Sequence, residues 1–357
     1  MNKVPGMTLA PEGSAERTAG PIRSTVVWLR SPWHLELTQE VLDPESLGPR
    51  QMLCETIVTA ISPGTEIAAF VGLPSLRPQV HYPRLQGYCN VARIIAVGRE
   101  LADMRAGDRV LTFMSHRSHF IAAREDVLVK LKADSDADQT VCAYLFHLAY
   151  NAVLRSGVRA GGKVLVVGLG ALGLTSVAMA SVAGARVVAV SDQQKPRAIA
   201  RDFGALDACS RGESASRVRQ HLGSGADVVI LTTNSWDDLT LALRSAGPFG
   251  AIACLGFPGR GQPPSSSNPL DSQYFYAKQL RIEAVGLSPE RLDDRGFLRF
   301  NERDNLQYIA DLIEEQRLRP EAIVSGSYEA VDIERAYRDL IARVDSPVTY
   351  LLRWSKP

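Results

Sequence analysis

The stretch of the chain that decides its fold is Lys163-Val-Leu-Val-Val-Gly168-Leu-Gly170-Ala-Leu-Gly173. An apolar run typical of a buried strand passes directly into a G-x-G-x-x-G turn. Each glycine has a mechanical role: Gly168 allows the tight turn, Gly170 lets backbone N–H groups approach a pyrophosphate, and Gly173 lets the next helix pack closely. The phosphates then lie at the positive end of the helix dipole. The pattern therefore predicts a dinucleotide-binding turn.

The residues that follow this turn complete a βαβ unit. Small residues from Leu174 to Ala183 favour a helix, and Ala185–Val190 is predicted as a second buried strand. Strand, turn and helix in this order favour dinucleotide binding, and a glycine-rich turn that binds nothing is the alternative. Further along, Leu255-Gly256-Phe257 provides a strand end with a small residue, where a nicotinamide ring would lie.

The residue after the second strand favours one form of the cofactor. NAD-selective sites usually hold Asp or Glu there, which hydrogen-bonds the ribose and repels a 2′-phosphate. Here the position holds Ser191, with Lys195 and Arg197 close behind as phosphate partners. We expect NADP(H) rather than NAD(H), unless Asp192 takes the acidic role or the two cations form only a solvated helical turn. The residues predicted to bind the cofactor are Gly168, Gly170, Ala171, Leu172, Gly173, Ser191, Lys195, Thr232, Leu255 and Gly256.

Length and composition narrow the class of protein. The 357 residues are enough for two domains, and a formal net charge of +1 gives no overall field that would attract nucleic acid or an anionic membrane. No apolar run approaches the ~20 residues that a membrane span needs. The five cysteines form no CxxC pair, which is typical of reduced thiols in the cytoplasm. We expect a cytoplasmic protein that acts on a small molecule, with 1–22 as a polar, flexible leader.

Strand and helix patterns divide the rest of the chain. A β-rich region runs from Ser24 to Lys132, and a helix is predicted from Asp136 to Ser156. Strands and helices then alternate from Lys163 to about Leu287, which predicts a parallel, doubly wound sheet with helices on both faces. The predicted strands are Thr25–Leu29, Met52–Ile61, Val91–Val97, Arg109–Phe113, Phe120–Ala122, Leu128–Leu131, Val164–Val167, Val187–Val190, Val228–Thr232, Ala251–Leu255, Arg281–Val285 and Val348–Trp354, and two late helices are predicted at Asn305–Gln316 and Ile333–Val344.

Short motifs in a characteristic order carry a resemblance to a known family. They are Ala60-Ile-Ser-Pro-Gly-Thr-Glu66, Tyr82-Pro83, Gly87-Tyr88, Val91–Gly98, Gly107-Asp-Arg-Val110, Leu148–Ala152 and Asp202-Phe-Gly-Ala205. From about residue 24 to its end, the chain resembles the medium-chain dehydrogenase/reductases. The resemblance implies an α/β fold: a GroES-like β-barrel catalytic domain formed by 23–157 and 289–357, and a Rossmann NAD(P)-binding domain with a doubly wound parallel sheet at 158–288. The substrate cleft is then expected between the two domains.

The chain departs from the zinc-dependent members of this family at their metal-ligand positions. The first ligand position falls on Ser62 or Pro63, the Gly-His-Glu motif on Gly87-Tyr88-Cys89, and the helix position on about Tyr144. Serine and tyrosine hydroxyls are poor ligands for Zn²⁺. The family's four-cysteine lobe for structural zinc is also missing from the sequence. The resemblance therefore implies a zinc-independent member; the alternative is an unorthodox metal site in which Cys89 joins His81, His116, His119 or His147.

Without zinc, hydrogen-bond donors must stabilise the negative charge that develops on the substrate oxygen. Tyr88 replaces a metal ligand, so the resemblance implies that its phenol faces the cleft and can donate a hydrogen bond. Thr65 and Glu66 take the place of the family's relay hydroxyl and its acidic neighbour. Glu66 can equally tie the turn to a basic side chain, and Tyr88 can equally be a core residue bonded to backbone.

His147 is the fourth candidate for a catalytic role. It lies three residues before Tyr150 and three after Tyr144 on the cleft-side helix, so the three rings are expected to share a face. The alternative for His147 is a histidine packed between aromatic rings without a part in the reaction.

Two further patterns narrow the branch of the family. Ser62-Pro-Gly-Thr-Glu66 with Gly87-Tyr88 resembles a group in which GTE and GY replace the zinc motifs, among them the bacteriochlorophyllide hydroxyethyl dehydrogenases. That resemblance implies interconversion of a secondary alcohol and a ketone in a pigment or secondary-metabolite pathway. The Ser191/Lys195 spacing resembles the quinone and enone reductases, which give the alternative activity, and a non-catalytic NADP(H)-binding protein is the second alternative. The family also implies a homodimer, with Arg281–Val285 as the exposed edge strand.

Overall fold

The fold is seen in a computed structural model that describes residues 20–75, 81–266, 268–286 and 300–354. The predicted leader, 1–22, lies outside these ranges except for its last three residues. Of those three residues, Ile22 begins the first strand. The predicted boundary between the two domains falls at residues 288 and 289, which both lie outside the described ranges.

The N-terminal part is mostly β-structure, as predicted, and the middle part alternates strands with helices. The N-terminal elements are β1 Ile22–Ser31, β2 His34–Leu42, β3 Gln51–Ala60, α1 Pro63–Phe70, β4 Arg84–Leu85, β5 Cys89–Val97, β6 Arg109–Thr112, β7 His119–Ala123, β8 Val127–Lys130, α2 Ala137–Thr140 and α3 Ala143–Ser156. The middle elements are β9 Lys163–Val167, α4 Ala171–Val182, β10 Arg186–Val190, α5 Gln194–Asp202, β11 Asp207–Cys209, α6 Ser214–Leu222, β12 Ala226–Leu231, α7 Trp236–Ser245, β13 Ala246–Cys254 and β14 Arg281–Ala284. The C-terminal elements are α8 Glu302–Glu314, β15 Val324–Glu329, α9 Ile333–Ala342 and β16 Thr349–Arg353.

The strand of the decisive stretch, β9, lies inside a parallel sheet of six strands in the order β11-β10-β9-β12-β13-β14. Its side chains alternate between two cores. Val164 and Val166 pack with helix α4, whereas Leu165 and Val167 pack with helices α6 and α7 on the other face. A parallel sheet covered on both faces needs strands that are apolar throughout, which is why the run could be recognised. The predicted doubly wound Rossmann sheet is therefore confirmed.

The second large sheet is built from both ends of the chain. Its seven strands run in the order β15-β16-β3-β5-β6-β8, with β7 also on β3. Strand β16 lies antiparallel to β3, with Leu351 opposite Ala60, so the C-terminal segment completes the N-terminal sheet. The parallel sheet lies between these two segments in the sequence. A further small sheet, β2-β1-β4, packs beside them.

Several predicted elements differ in the structure, each for a local reason. The helix predicted at Asp136–Ser156 is two helices, because the Asp136 side chain caps α2 and α3 begins anew at Ala143. The helix after the nucleotide turn begins at Ala171, three residues earlier than predicted, so that Gly173 lies inside its first turn. Pro63 and Gly64 form the first turn of α1, where proline suits the N-terminal position.

The glycines of the nucleotide turn have the geometry that the motif requires. Gly168 has φ of +90°, a conformation that other residues rarely adopt. A Cβ on Gly173 would lie 1.8 Å from the Gly168 carbonyl oxygen, so α4 packs directly against the turn. A Cβ on Gly170 would meet no atom within 4 Å, which leaves its exposed side open to a ligand. Within the described ranges, no helix has the length and apolar character needed to cross a membrane.

Candidate active site

The carboxyl ends of the parallel strands form the first part of the site. Gly170 is exposed at the N-terminus of α4, where Ala171, Leu172 and Gly173 supply the first-turn N–H groups. The Thr232 hydroxyl donates to the carbonyl oxygens of Val167 and Gly168, at 3.1 and 3.0 Å, and so ties β12 to the turn. The predicted cofactor residues Gly168, Gly170, Ala171, Leu172, Gly173 and Thr232 therefore lie together.

The strand end predicted to hold the nicotinamide closes tightly over the neighbouring strand. Leu255 is buried, and a Cβ on Gly256 would lie 2.2 Å from the Thr233 carbonyl oxygen. Only glycine allows this approach, which brings the backbone of β13 beside that of β12. The Phe257 N–H then donates to the Asn234 side chain at 3.0 Å.

The residues predicted to select NADP lie at the end of β10, but not all of them face the same way. Strand β10 ends at Val190, so Ser191 does take the position after it. Arg197 donates to the Ser191 carbonyl oxygen at 3.1 Å. Lys195 is exposed and donates instead to the carbonyl oxygen of Asp345, at 3.2 Å. The structure therefore brings Arg197 to Ser191 and directs Lys195 toward the C-terminal segment.

A cation that the sequence did not predict, Arg211, lies beside this strand end. Its guanidinium binds the buried Asp238 through two nitrogens, at 2.7 and 2.8 Å, and Asp192 through a third, at 2.7 Å. A hydrogen bond from the Arg211 N–H and the pairing with its guanidinium lower the pKa of Asp192. Arg211 follows β11, a three-residue strand too short to recognise from its pattern, so the position was not predicted. The carboxylate offered as the alternative ribose acceptor is thus already paired.

The Tyr88 hydroxyl is the centre of the second part of the site. It donates to Ser62 Oγ at 2.5 Å, and Thr65 also hydrogen-bonds the phenol. The Tyr88 ring packs edge-on against Tyr144, with ring centroids 5.3 Å apart. Burial, and then the neighbouring Cys89 and Glu66, raise the pKa of Tyr88 above its ordinary value, against the opposing effect of the two hydroxyls. The phenol therefore stays protonated at neutral pH and can donate a hydrogen bond.

Glu66 lies behind Tyr88 and is 1% exposed. One carboxylate oxygen accepts from the Ser62 N–H at 2.7 Å; the other accepts from His116 Nε2 at 2.8 Å and from the Tyr337 hydroxyl at 2.5 Å. Of the two interpretations left open by the sequence, the structure shows the tie to a basic side chain. The His116 ring lies 2.6 Å from where a Cβ on Gly87 would be, which explains the glycine before Tyr88.

His147 is fully buried and contacts Tyr144, with ring centroids 5.4 Å apart. Burial lowers its pKa to about 4, so the imidazole is neutral at pH 7. The prediction that Tyr150 shares this face is wrong. Tyr150 packs instead against Tyr308 of α8, because six residues along a helix leave it about a third of a turn away from Tyr144.

The positions of the family's zinc ligands are occupied by groups that bond to each other. Ser62 and Tyr88 form a hydrogen bond, and Tyr144 packs its ring on that of Tyr88. Among the residues that the structure describes, no three or more His, Cys, Asp or Glu side chains form a group that could hold a metal ion. The absence of zinc stays a prediction, to be tested by metal analysis.

The sequence of the chain is similar to those of known dehydrogenases. Residues 171–295 match a family model described as zinc-binding dehydrogenase, a region that contains none of Ser62, Tyr88, Cys89 and Tyr144. An alcohol dehydrogenase of Aspergillus sp. is 23% identical over 244 residues, which cover 59% of this chain and 70% of the relative. D-guloside 3-dehydrogenase of Shigella flexneri is 33% identical over 174 residues, covering 47% of this chain and 49% of that protein. The chain thus spans about half the length of this second relative.

A solved structure extends the likeness to nearly the whole fold. A Sinorhizobium meliloti protein described as a zinc-binding dehydrogenase, solved bound to NADP, superposes with a TM-score of 0.73 at 18% identity, over 93% of this chain and all of that one. At that identity the likeness concerns the fold. The family-model match and the sequence relatives show that the chain belongs to the alcohol dehydrogenase-like medium-chain dehydrogenase/reductase superfamily. It is an oxidoreductase of that superfamily.

Burial of His147 makes the stability of the protein depend on pH. Its folded pKa of about 4 lies below the ordinary 6.5. The unfolded chain therefore takes up this proton first, and stability is lost as the pH falls from about 6.5 toward 4. Between pH 7.5 and 5 the loss from this one group amounts to about 2 kcal/mol. Urea unfolding should show this loss, and His147→Gln should lessen it. Equal losses in both proteins would contradict the assignment.

Proposed function

We propose that the protein is a zinc-independent, NAD(P)(H)-dependent oxidoreductase that interconverts a secondary alcohol and a ketone in a biosynthetic pathway. The observation that carries the proposal is the Tyr88–Ser62 hydrogen bond, formed at positions where related enzymes hold metal ligands. Hydroxyl groups suit a hydrogen-bonding role better than Zn²⁺ ligation. The alcohol-dehydrogenase and D-guloside 3-dehydrogenase relatives support the alcohol–ketone chemistry.

The residues present fit a nicotinamide dinucleotide. Gly170 leaves open space at the N-terminus of α4, the place where a pyrophosphate is bound in this fold. When bound, the cofactor gives or accepts the hydride. Its NADP form is supported by Ser191 in place of an acid, by Arg197 at the Ser191 carbonyl, and by Arg211, which pairs with Asp192. Fold neighbours solved with NADP and with NADH support a nicotinamide dinucleotide without favouring either form.

The chain's own part in the reaction is to stabilise charge on the substrate oxygen. Burial keeps the Tyr88 phenol protonated, and its one hydrogen, which Ser62 Oγ accepts in the structure, turns to the substrate oxygen when substrate binds. Thr65 and Ser62 hold the phenol in place. Glu66 acts from behind as a positioning residue, since it holds the Ser62 backbone through the N–H. His147 is neutral and buried beside Tyr144, where it shapes the wall of the cleft.

We further propose that the protein works in the cytoplasm as a homodimer paired through β14. Among the described residues, this strand is one of the two outer strands of the parallel sheet, the other being β11, and an outer strand leaves one row of backbone groups for a partner strand. The mass measured by light scattering at micromolar concentration should be twice that of one chain. A mass equal to one chain would rule out this assembly.

Removing the Tyr88 hydroxyl should slow the reaction without changing cofactor affinity. In Tyr88→Phe, kcat and kcat/KM should fall together by roughly 10²–10³-fold, since the lost hydrogen bond is made mainly in the transition state. His147→Ala should cost less, of order 10–100-fold, because His147 acts only by positioning its neighbours. Steady-state assays with secondary alcohols and their ketones measure both.

The matched control is Tyr308→Phe. It removes the hydroxyl of a tyrosine whose ring packs against Tyr150, outside the site. Its rates should equal those of the unmodified protein. Metal analysis of the same preparations should find well under one zinc per chain. Stoichiometric zinc would refute the zinc-free mechanism. Full turnover in both Tyr88→Phe and His147→Ala would instead favour enone or quinone reduction, where solvent can protonate the product.

Introducing an acid after β10 should reverse the cofactor preference. The Ser191→Asp carboxylate would hydrogen-bond a ribose and repel a 2′-phosphate, so NADP binding should weaken and NAD binding should strengthen. Fluorescence titration with NADPH and NADH measures the ratio. The control Gln194→Asp adds the same charge at an exposed position three residues later and should leave the ratio nearly unchanged. Tighter binding of NADH than NADPH by the unmodified protein would contradict the proposal.

A further inference from the structure

Two buried N–H donors without partners lie just before Tyr88 in the chain. Arg84 and Gln86 flank Leu85, which is exposed, so the two polar side chains of this extended segment point inward. Arg84 Nε and Gln86 Nε2 are both buried and have no hydrogen-bond partner among the described residues. Gln86 is only 1% exposed. Buried polar groups are normally hydrogen-bonded, so these two donors are exceptional.

A second arginine approaches from the nucleotide-binding side of the cleft. Arg260 lies on the loop after β13, four residues beyond Gly256. Its Nε donates to the Pro74 carbonyl oxygen at 2.9 Å, and its guanidinium lies 5.8 Å from the Phe257 ring centroid. The next residue, Gly261, packs on Leu73. This loop therefore reaches across the cleft to the catalytic part of the protein.

Within the described ranges, neither arginine has an acidic partner, and the charge of Arg84 acts on Arg260. Burial, and then the charge of Arg84, lower the pKa of Arg260, with the nearby Tyr82 acting in the opposite direction. No carboxylate of the described residues forms an ion pair with either guanidinium. Arg84 also lies near Tyr337, the tyrosine that donates to Glu66, so the pair borders the Tyr88 site.

A carboxylate or phosphate group bound here would give the unpartnered N–H donors an acceptor and would offset the repulsion between the two arginines. Its oxygens accept several hydrogen bonds at once, and arginine binds them with two parallel N–H groups. Its negative charge would also cancel the repulsion between the two guanidiniums. A neutral alcohol could accept a hydrogen bond but could not offset the repulsion between the charges.

We propose that Arg84, Gln86 and Arg260 bind an anionic group, carboxylate or phosphate, carried by the substrate. This inference rests on the proposed function and specifies its substrate class: a secondary alcohol or ketone with an anionic substituent. The anion anchors one end of the molecule, and the reacting carbon then lies between Tyr88 and the Gly256 strand end.

Anion binding can be measured without turnover. Isothermal titration of the full chain saturated with NADPH, with inorganic phosphate in one arm and malonate in the other, should show saturable binding of at least one probe. Arg84→Gln and Arg260→Gln should each weaken it at least tenfold. Gln86→Met removes the buried amide at similar length and should weaken it without loss of thermal stability. Arg219→Gln, an exposed arginine of α6, is the control and should change nothing.

Kinetics then separate this inference from the proposed function. Secondary alcohols with a carboxylate or phosphate should exceed matched neutral alcohols in kcat/KM by at least 10²-fold, and Arg84→Gln should remove this advantage mainly through KM. Binding of neither probe, together with turnover of neutral alcohols unaffected by Arg84→Gln, would overturn the inference and leave the function intact. Probe binding that depends on Arg84 but no turnover of any alcohol would overturn the proposed function instead.

Discussion

The catalytic part of the protein depends on one buried carboxylate. Glu66 joins three segments that are far apart in the sequence: the start of α1 through the Ser62 N–H, the segment before β7 through His116, and helix α9 through Tyr337. A carboxylate without these donors would be too costly to bury. The bond to the Ser62 N–H also fixes the residue whose Oγ accepts the hydrogen bond from Tyr88. The network extends through His116 Nδ1 to Thr59, which accepts from the Trp354 indole near the C-terminus at 3.1 Å.

The same constraint explains how hydroxyl groups can occupy positions that hold metal ligands in related enzymes. A metal ion organises its ligands by coordination, so a site built from hydroxyls needs another source of rigidity. Here the Glu66 network and the aromatic contacts of Tyr144 with Tyr88, Phe113 and His147 supply it. The proposed substrate site adds further donors to this network, the protonated Tyr88 phenol and the inferred anion-binding group of Arg84, Gln86 and Arg260. At the end of β10, Arg211 is already paired with Asp192 and Asp238.

Short-range patterns were sufficient to predict the fold. The buried run before Gly168, the three glycines and the strand at Val187–Val190 predicted the Rossmann sheet, because local geometry and burial on both faces leave few other sequences possible. The place of Ser191 after β10 followed from the same pattern. Boundaries were less accurate where one polar residue decides them. Asp136 caps a short helix that the apolar periodicity had joined to the next one.

The sequence by itself therefore determined the two-sheet architecture, the dinucleotide turn and the replacement of metal-ligand positions by Ser62 and Tyr88. Only the tertiary structure decided which side chains meet: Glu66 with His116 and Tyr337, Arg211 with Asp192 and Asp238, and Tyr150 with Tyr308 rather than Tyr144. The physical reason is the separation along the chain over which each kind of interaction acts. Turn and strand preferences act between near neighbours in the chain, whereas Glu66 and Tyr337 are 271 residues apart and meet only once β16 has paired with β3.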